Sequence, residues 1–239
     1  MSNMYQTRRV IVVFVSLILF TIVIVANTPS SQNNLVQTEI KTASLADEVI
    51  VTSSPAIDAL KTLAIKGRAP KTDYSREQFG ASWSTTAGCD TRNIILNRDL
   101  INAVVDEDCN VTSGTLNDPY TGKIIQFVRG SDTSNAVQID HVVALSDAWQ
   151  KGAQQFTSIQ RVSLANDPLE LLAVDGSANL QKNDGDAATW LPSNKSFRCQ
   201  YVARQIAVKQ KYGLWVTQAE YDAMASILSE CPTQLLPSP

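Results

Sequence analysis

The sequence has one histidine, His141, and four cysteines, no two of which form a Cys-x-x-Cys pair. That scarcity argues against a zinc site, which draws four Cys or His ligands from short paired spacings. Ten glycines in 239 residues and 18% charged side chains, against 44% hydrophobic ones, exclude a disordered or fibrous chain. They leave enough apolar material for one globular core. No internal repeat is present. An excess of positive charge is missing too: 20 Lys and Arg face 23 Asp and Glu. Affinity for a polyanion would therefore rest on local patches, not on the field of the whole molecule.

One long hydrophobic run does exist. After Arg8 and Arg9, residues Val10 to Ala26 are apolar apart from Ser16 and Thr21 and carry no charge. The run is longer than an ordinary signal-peptide core and slightly short of the roughly 20 residues of a comfortable membrane span. It reads as a signal peptide or an N-terminal membrane anchor. Both readings keep the Arg pair inside and place the rest of the chain outside the cytoplasm, secreted or held at the outer face of the membrane. Without residues 1–26 the chain keeps 18 basic against 23 acidic residues. All four cysteines (Cys89, Cys109, Cys199, Cys231) follow this segment, so an oxidising compartment suggests two disulfides. Of three pairings, Cys89–Cys109 with Cys199–Cys231 closes the shortest loops.

Residues 27–55 are rich in Ser, Thr, Asn and Gln and read as a flexible linker. The domain is expected over 56–231, with a frayed tail over 232–239. Apolar spacing predicts a helix over Ala56–Ile65 and another after Asp90, which can cap it. Asn117 to Gly122 is a turn signal, followed by a strand over Ile124–Val128. Strands are predicted over Val137–Val143 and Leu171–Val174. Ser177 is expected to cap a short helix holding Asn179 and Lys182. A helix is predicted over Tyr201–Tyr212, ended at Gly213, and Thr217 to Glu220 reads as a capping box opening the last one. Two basic stretches, residues 61–76 and 182–211, are candidate phosphate-binding patches, with solvated faces as the favoured reading.

The order Asp140-His141 on a strand, a second strand, then Asn179 on a helix suits one chemistry. Cutting a phosphodiester needs an activated water, a clamp on the phosphate and help for the leaving oxygen, and a hard divalent ion can supply the last two. Such an ion takes oxygen ligands from a carboxylate and an amide. A neutral imidazole suits the base. Lys182, three residues after Asn179, is expected on the same helix face and within reach of a phosphate.

The stretches DHVVALSDAW and NDPLELLAVDGSANLQKND resemble HNH endonucleases, in particular exported bacterial HNH proteins with a C-terminal domain of the GmrSD type. The GCDTRN segment (Gly88 to Asn93), Arg98-Asp99-Leu100, Ser113-Gly114 and Asp118 to Gly122 carry the resemblance further, so that it covers roughly residues 66 to 231. The order of Asp-His, Asn and Lys is also similar to the HNH domain of RNA-guided CRISPR nucleases. The resemblance implies an α+β fold, with a ββα-metal (His-Me finger) core wrapped by further helices. It implies an exported endonuclease in which His141 is the general base, Asp140 and Asn179 hold one divalent ion (Mg²⁺, with Mn²⁺ as the alternative), and Lys182 supports the phosphate or the helix. The substrate is expected to be DNA, with RNA as the alternative, and no protein partner is expected. The family commonly has Asn where this chain has Glu170. That residue is expected to position the catalytic loop, but an ionised Glu accepts hydrogen bonds and does not donate them. It could also draw the metal toward itself.

Blander readings stand beside each residue. A lone His is more often structural, and only its Asp neighbour and the motif shift the balance. Arg92 and Arg98 are candidate phosphate ligands and equally candidates for salt bridges. The four tryptophans read as core, not as stacking platforms. Asp175 to Asp186 fails as an EF-hand, since Leu180 stands at the glycine position and Asp186 at the terminal glutamate position. A Cys–His protease is a poor fit to an even cysteine count. The alternative function is a catalytically degenerate HNH domain that binds nucleic acid or metal without cutting; a third reading is a cell-envelope protein that works through partner contacts alone.

Overall fold

The computed structural model describes residues 55–131 and 133–237. The expected export segment and most of the linker, residues 1–54, lie outside them. Among the described residues, no helix is long and apolar enough to cross a membrane.

The chain opens with helix α1 (Ala56–Leu60), shorter than its apolar spacing suggested. Beyond it the chain turns over Lys61–Leu63, and Ile65 then bridges to Val216, so the predicted helix ends early. A 3₁₀ turn (Arg76–Phe79) follows, then a minimal hairpin of β1 (Thr85–Thr86) and β2 (Cys89–Asp90). Helix α2 (Thr91–Asp99) is capped as expected, the Asp90 side chain accepting from the Asn93 amide. Strands β3 (Ile101–Val105), β4 (Val111–Asn117) and β5 (Ile124–Val128) form an antiparallel meander.

The central unit is an antiparallel pair, β6 (Val137–His141) and β7 (Leu171–Asp175), followed at once by helix α5 (Gly176–Lys182). Between the two strands lie α3 (Leu145–Gln150) and α4 (Ser158–Ala165). Helices α6 (Arg198–Tyr212) and α7 (Gln218–Ser229) complete the chain. The strand pair is sandwiched. Side chains alternate across a strand, so Val137, Ile139, Leu171 and Ala173 join a core with Ile95, Leu96, Val111 and Phe127. Leu172 and Val174 join the larger helical core instead. Both faces covered is why Leu171–Val174 reads as an unbroken apolar run.

Asp175, not Ser177, caps α5, accepting from the Ala178 amide. The next position must be glycine, because a Cβ on Gly176 would lie 2.1 Å from the Asn135 carbonyl oxygen. This close approach lets α5 fold straight back beside β6. At α7 the capping box is half present. Thr217 accepts from the Glu220 amide, but the Glu220 side chain is buried in ion pairs with Lys151 and Lys209. The two disulfides are Cys89–Cys109 and Cys199–Cys231. The tail is not frayed at 234–235: the Ala56 amide donates to Gln234, and Leu235 bridges to Pro55.

Candidate active site

His141 is the last residue of β6, and strand alternation sends it away from Asp140. Its ring is buried, 6% exposed, and lies almost parallel to the Trp83 indole, with centroids 5.6 Å apart. The ring Nε2 lies 3.0 Å from the Ala165 carbonyl oxygen at the end of α4. A carbonyl can only accept, so this contact places the proton on Nε2 and leaves the Nδ1 lone pair free. Burial drives the His141 pKa down to about 3, helped by the Arg76 charge and, less, by that of Lys182. At neutral pH the ring is therefore uncharged, the state a base requires.

Asp140 turns to the opposite face. Lys182, at the end of α5, donates to Asp140 Oδ1 at 2.9 Å and to the His141 carbonyl at 2.7 Å. The Tyr120 hydroxyl donates to Oδ2. Burial pushes the Asp140 carboxyl up, against the pull of Lys182 and Tyr120. Each carboxylate oxygen accepts one of these bonds and keeps a second lone pair. Asn179 donates its Nδ2 to Gln138 Oε1 at 2.9 Å, and its Oδ1 takes no partner among the described residues.

Asp140, His141 and Asn179 line one cleft of about 450 Å³, together with Arg76, Trp83 and Arg92. A second cavity of about 290 Å³ shares His141, Trp83, Arg76 and Leu145 and is otherwise lined by Phe79 and Ala165 among others. A free amide oxygen and a partly used carboxylate in one cleft fit a hard cation that keeps several waters. Among the described residues, no three His, Cys, Asp or Glu side chains cluster as metal ligands. The donor set therefore suits an ion bound by few protein oxygens.

The segment after β6 is clamped from three sides. Lys182 holds the His141 carbonyl, Gln205 Nε2 holds the Val142 carbonyl at 2.8 Å, and the Glu170 carboxyl accepts from the Val143 amide at 3.2 Å. Glu170 is fully buried and does not line the cleft, so it is placed to hold the loop and not to draw a metal. Burial pushes its carboxyl well above the usual carboxylate range. A carboxyl that keeps its proton can donate as well as accept, the capacity of the amide it replaces.

Two expected phosphate contacts lie elsewhere. Lys182 is fully buried, is paired with Asp140 and does not line the cleft. Arg98 is outside the cleft. It forks onto Asp99 and reaches the Pro168 and Leu171 carbonyls, beside a separate cavity of about 650 Å³ that holds none of the cleft's polar groups. Arg92 does line the cleft, tethered to the Ser134 and Val137 carbonyls. Gln138 and Gln205 were not singled out in the sequence. Tyr120 was marked only by its turn, Arg76 only as part of the basic stretch 61–76, and Trp83 was read as core, whereas it lines the cleft beside His141.

Taken together, the fold and cleft define a disulfide-bonded mixed α/β protein whose single histidine lines a cleft with Asp140 and Asn179 on a strand–strand–helix unit. The family model for GmrSD restriction endonucleases, C-terminal domain, matches residues 90–227, and the chain belongs to this family. It is also 40% identical over 185 residues to an uncharacterized secreted protein of Arthroderma benhamiae, covering 76% of this chain and 87% of the relative. No solved structure matches.

Proposed function

We propose that this protein is an exported, metal-dependent endonuclease that hydrolyses phosphodiester bonds in DNA, using the β6–β7–α5 unit as an HNH-type site. The observation that carries this reading is the His141 ring. It is neutral, it is anchored through Nε2 so that Nδ1 stays free, and it shares a cleft with Asp140 and with Asn179, whose Oδ1 has no partner among the described residues. Membership in a restriction-endonuclease family supports it, as do the two disulfides and the secreted relative.

In this reading His141 Nδ1 takes a proton from water. The water oxygen bonds to phosphorus, the bond from phosphorus to the leaving sugar oxygen breaks, and that oxygen is protonated from solvent. Asp140 and Asn179 Oδ1 would hold the divalent ion, Mg²⁺ or Mn²⁺, which supplies charge neutralisation for the phosphate and leaving oxygen. Lys182, Tyr120 and Gln138 orient those two ligands, and the clamps on Val142 and Val143 fix the imidazole.

The test uses protein expressed with its N-terminal segment into an oxidising compartment and purified through a tag free of histidine. Wild type is expected to nick plasmid DNA with Mg²⁺ or Mn²⁺ and not with EDTA. Loss of a general base costs about 10²–10⁴-fold, so His141→Ala should be folded and slower by that range. A wild type that binds nucleic acid but cuts neither DNA nor RNA with any metal would instead establish the degenerate, binding-only reading.

A further inference from the structure

The cations around the cleft are nearly all committed. Lys71 pairs with Asp184 at 2.8 Å and lies over the Tyr74 ring. Arg68 pairs with Asp147 and Asp186, Lys182 with Asp140, and Arg92 is tethered to two carbonyls. Arg76 is different. It lines both cavities that meet at His141, and its guanidinium makes no hydrogen bond or ion pair among the described residues.

Its backbone, by contrast, is well anchored. Arg76 opens the 3₁₀ turn that buries Phe79, 2% exposed, against Tyr74 and Trp149. Arg161 Nε donates to the Gln78 carbonyl at 3.1 Å, fixing the turn to α4. The Arg76 side chain is exposed. Its anchored backbone holds a planar donor fork, unsatisfied by protein among the described residues, at the edge of the cleft that His141 lines.

We propose that Arg76 is a catalytic residue that clamps the phosphate under attack, its guanidinium donating to non-bridging oxygens while His141 faces the incoming water. The inference rests on the nuclease reading above and adds to it the cation that Lys182 and Arg98 fail to supply. Arginine suits this task because its fork matches phosphate geometry in a bidentate way, whereas lysine is a point charge. The charge on those oxygens grows during attack, so the contact strengthens in the transition state and should weigh more on kcat than on KM.

The experiment compares wild type, Arg76→Ala and Arg76→Lys in three readouts. These are plasmid cleavage with Mg²⁺, binding of a fluorescein-labelled 12-nucleotide DNA strand in EDTA, and thermal unfolding. Removal of one preorganised donor costs about 10²–10³-fold in kcat, and Arg76→Ala is expected in that range with a smaller change in KM. Arg76→Lys should recover part of the loss, and both variants should melt with wild type, since no protein contact is removed. Cleavage by Arg76→Ala within threefold of wild type would overturn the assignment and leave the nuclease reading intact. So would a loss confined to KM, which would make Arg76 a rim contact. If wild type cuts nothing, the nuclease reading fails by itself, and oligonucleotide affinity decides. A fivefold or larger loss in Arg76→Ala then keeps Arg76 as the phosphate contact, and a smaller one removes it.

Discussion

At the scale of single residues, the site is governed by burial. His141 would titrate near 6.5 in an unfolded chain, and its native pKa is about 3 because burial and the facing Arg76 and Lys182 charges oppose protonation. Between those values the unfolded state binds more protons than the native one. The contribution of this group is thus fully present above about pH 6.5 and is lost as pH falls toward 3, at up to about 1.4 kcal/mol per pH unit. Asp140 and Glu170, the carboxyls nearest the site, are both pushed up and act in the opposite sense, losing stability as pH rises. A comparison with His141→Gln isolates the imidazole. Denaturant unfolding in EDTA at pH 6.5 and 4.5 is expected to show wild type losing about 2–3 kcal/mol more than the variant across that interval. Equal losses would mean that the ring charges freely in the folded protein.

At the scale of elements, the strand–strand–helix unit depends on one pin. Lys182 joins α5 to the end of β6 through Asp140 Oδ1 and the His141 carbonyl, with neither side chain more than 6% exposed. Breaking a buried pair by removing one partner costs about 3–5 kcal/mol, because the other charge is left unpaired. Lys182→Met is therefore expected to lower unfolding free energy by about that amount. The double variant Lys182→Met/Asp140→Asn should recover part of it, as read by denaturant melts; a single variant within 1 kcal/mol of wild type would show that the pair contributes little. This pin also shows what the sequence could and could not tell. Strands β5, β6 and β7, α2 with its Asp90 cap, the Gly213 stop of α6 and the disulfide pairing were legible because each follows a local rule of period, cap or loop closure. Leu100 and Ile101, by contrast, read as helix although α2 ends at Asp99 and Ile101 opens β3. Asp140, His141 and Asn179 were legible through motif order. The destination of a side chain was not. Spacing set Lys182 on one helix face with Asn179, but only packing decides that it points inward and ends on a carboxylate. Likewise Glu220 matched a capping box while its carboxylate was committed to Lys151 and Lys209 across the core. Arg76 was marked only as one member of the basic stretch 61–76, and what sets it apart there is that the other cations around the cleft are paired or tethered.

At the scale of the whole molecule, most cations are used to hold the fold. Lys151 and Lys209 are fully buried with Asp147, Asp186 and Glu220, tying α3, α6, α7 and the chain after α5 into one ionic cluster that Arg68 closes from outside. Lys211 pairs with Asp167, and Arg161 and Arg204 donate to backbone carbonyls. Both basic stretches of the sequence are consumed in this way, apart from Arg76 and a few exposed lysines. With 20 basic against 23 acidic residues, the molecule has little field with which to gather a polyanion. A nuclease built so would contact few phosphates at once. Duplex DNA releases about 0.9 counterion per phosphate neutralised, so one or two contacts, from Arg76 and Arg92 at the cleft, give a slope of about −1 to −2 in log affinity against log salt. Binding of a labelled duplex to the protein in EDTA, titrated between 50 and 200 mM salt, should show that shallow dependence. Arg76→Ala should make it shallower by about one contact. A slope of about −6 or steeper would require an extended basic track, which ion pairing of the Lys and Arg side chains inside the fold does not leave available.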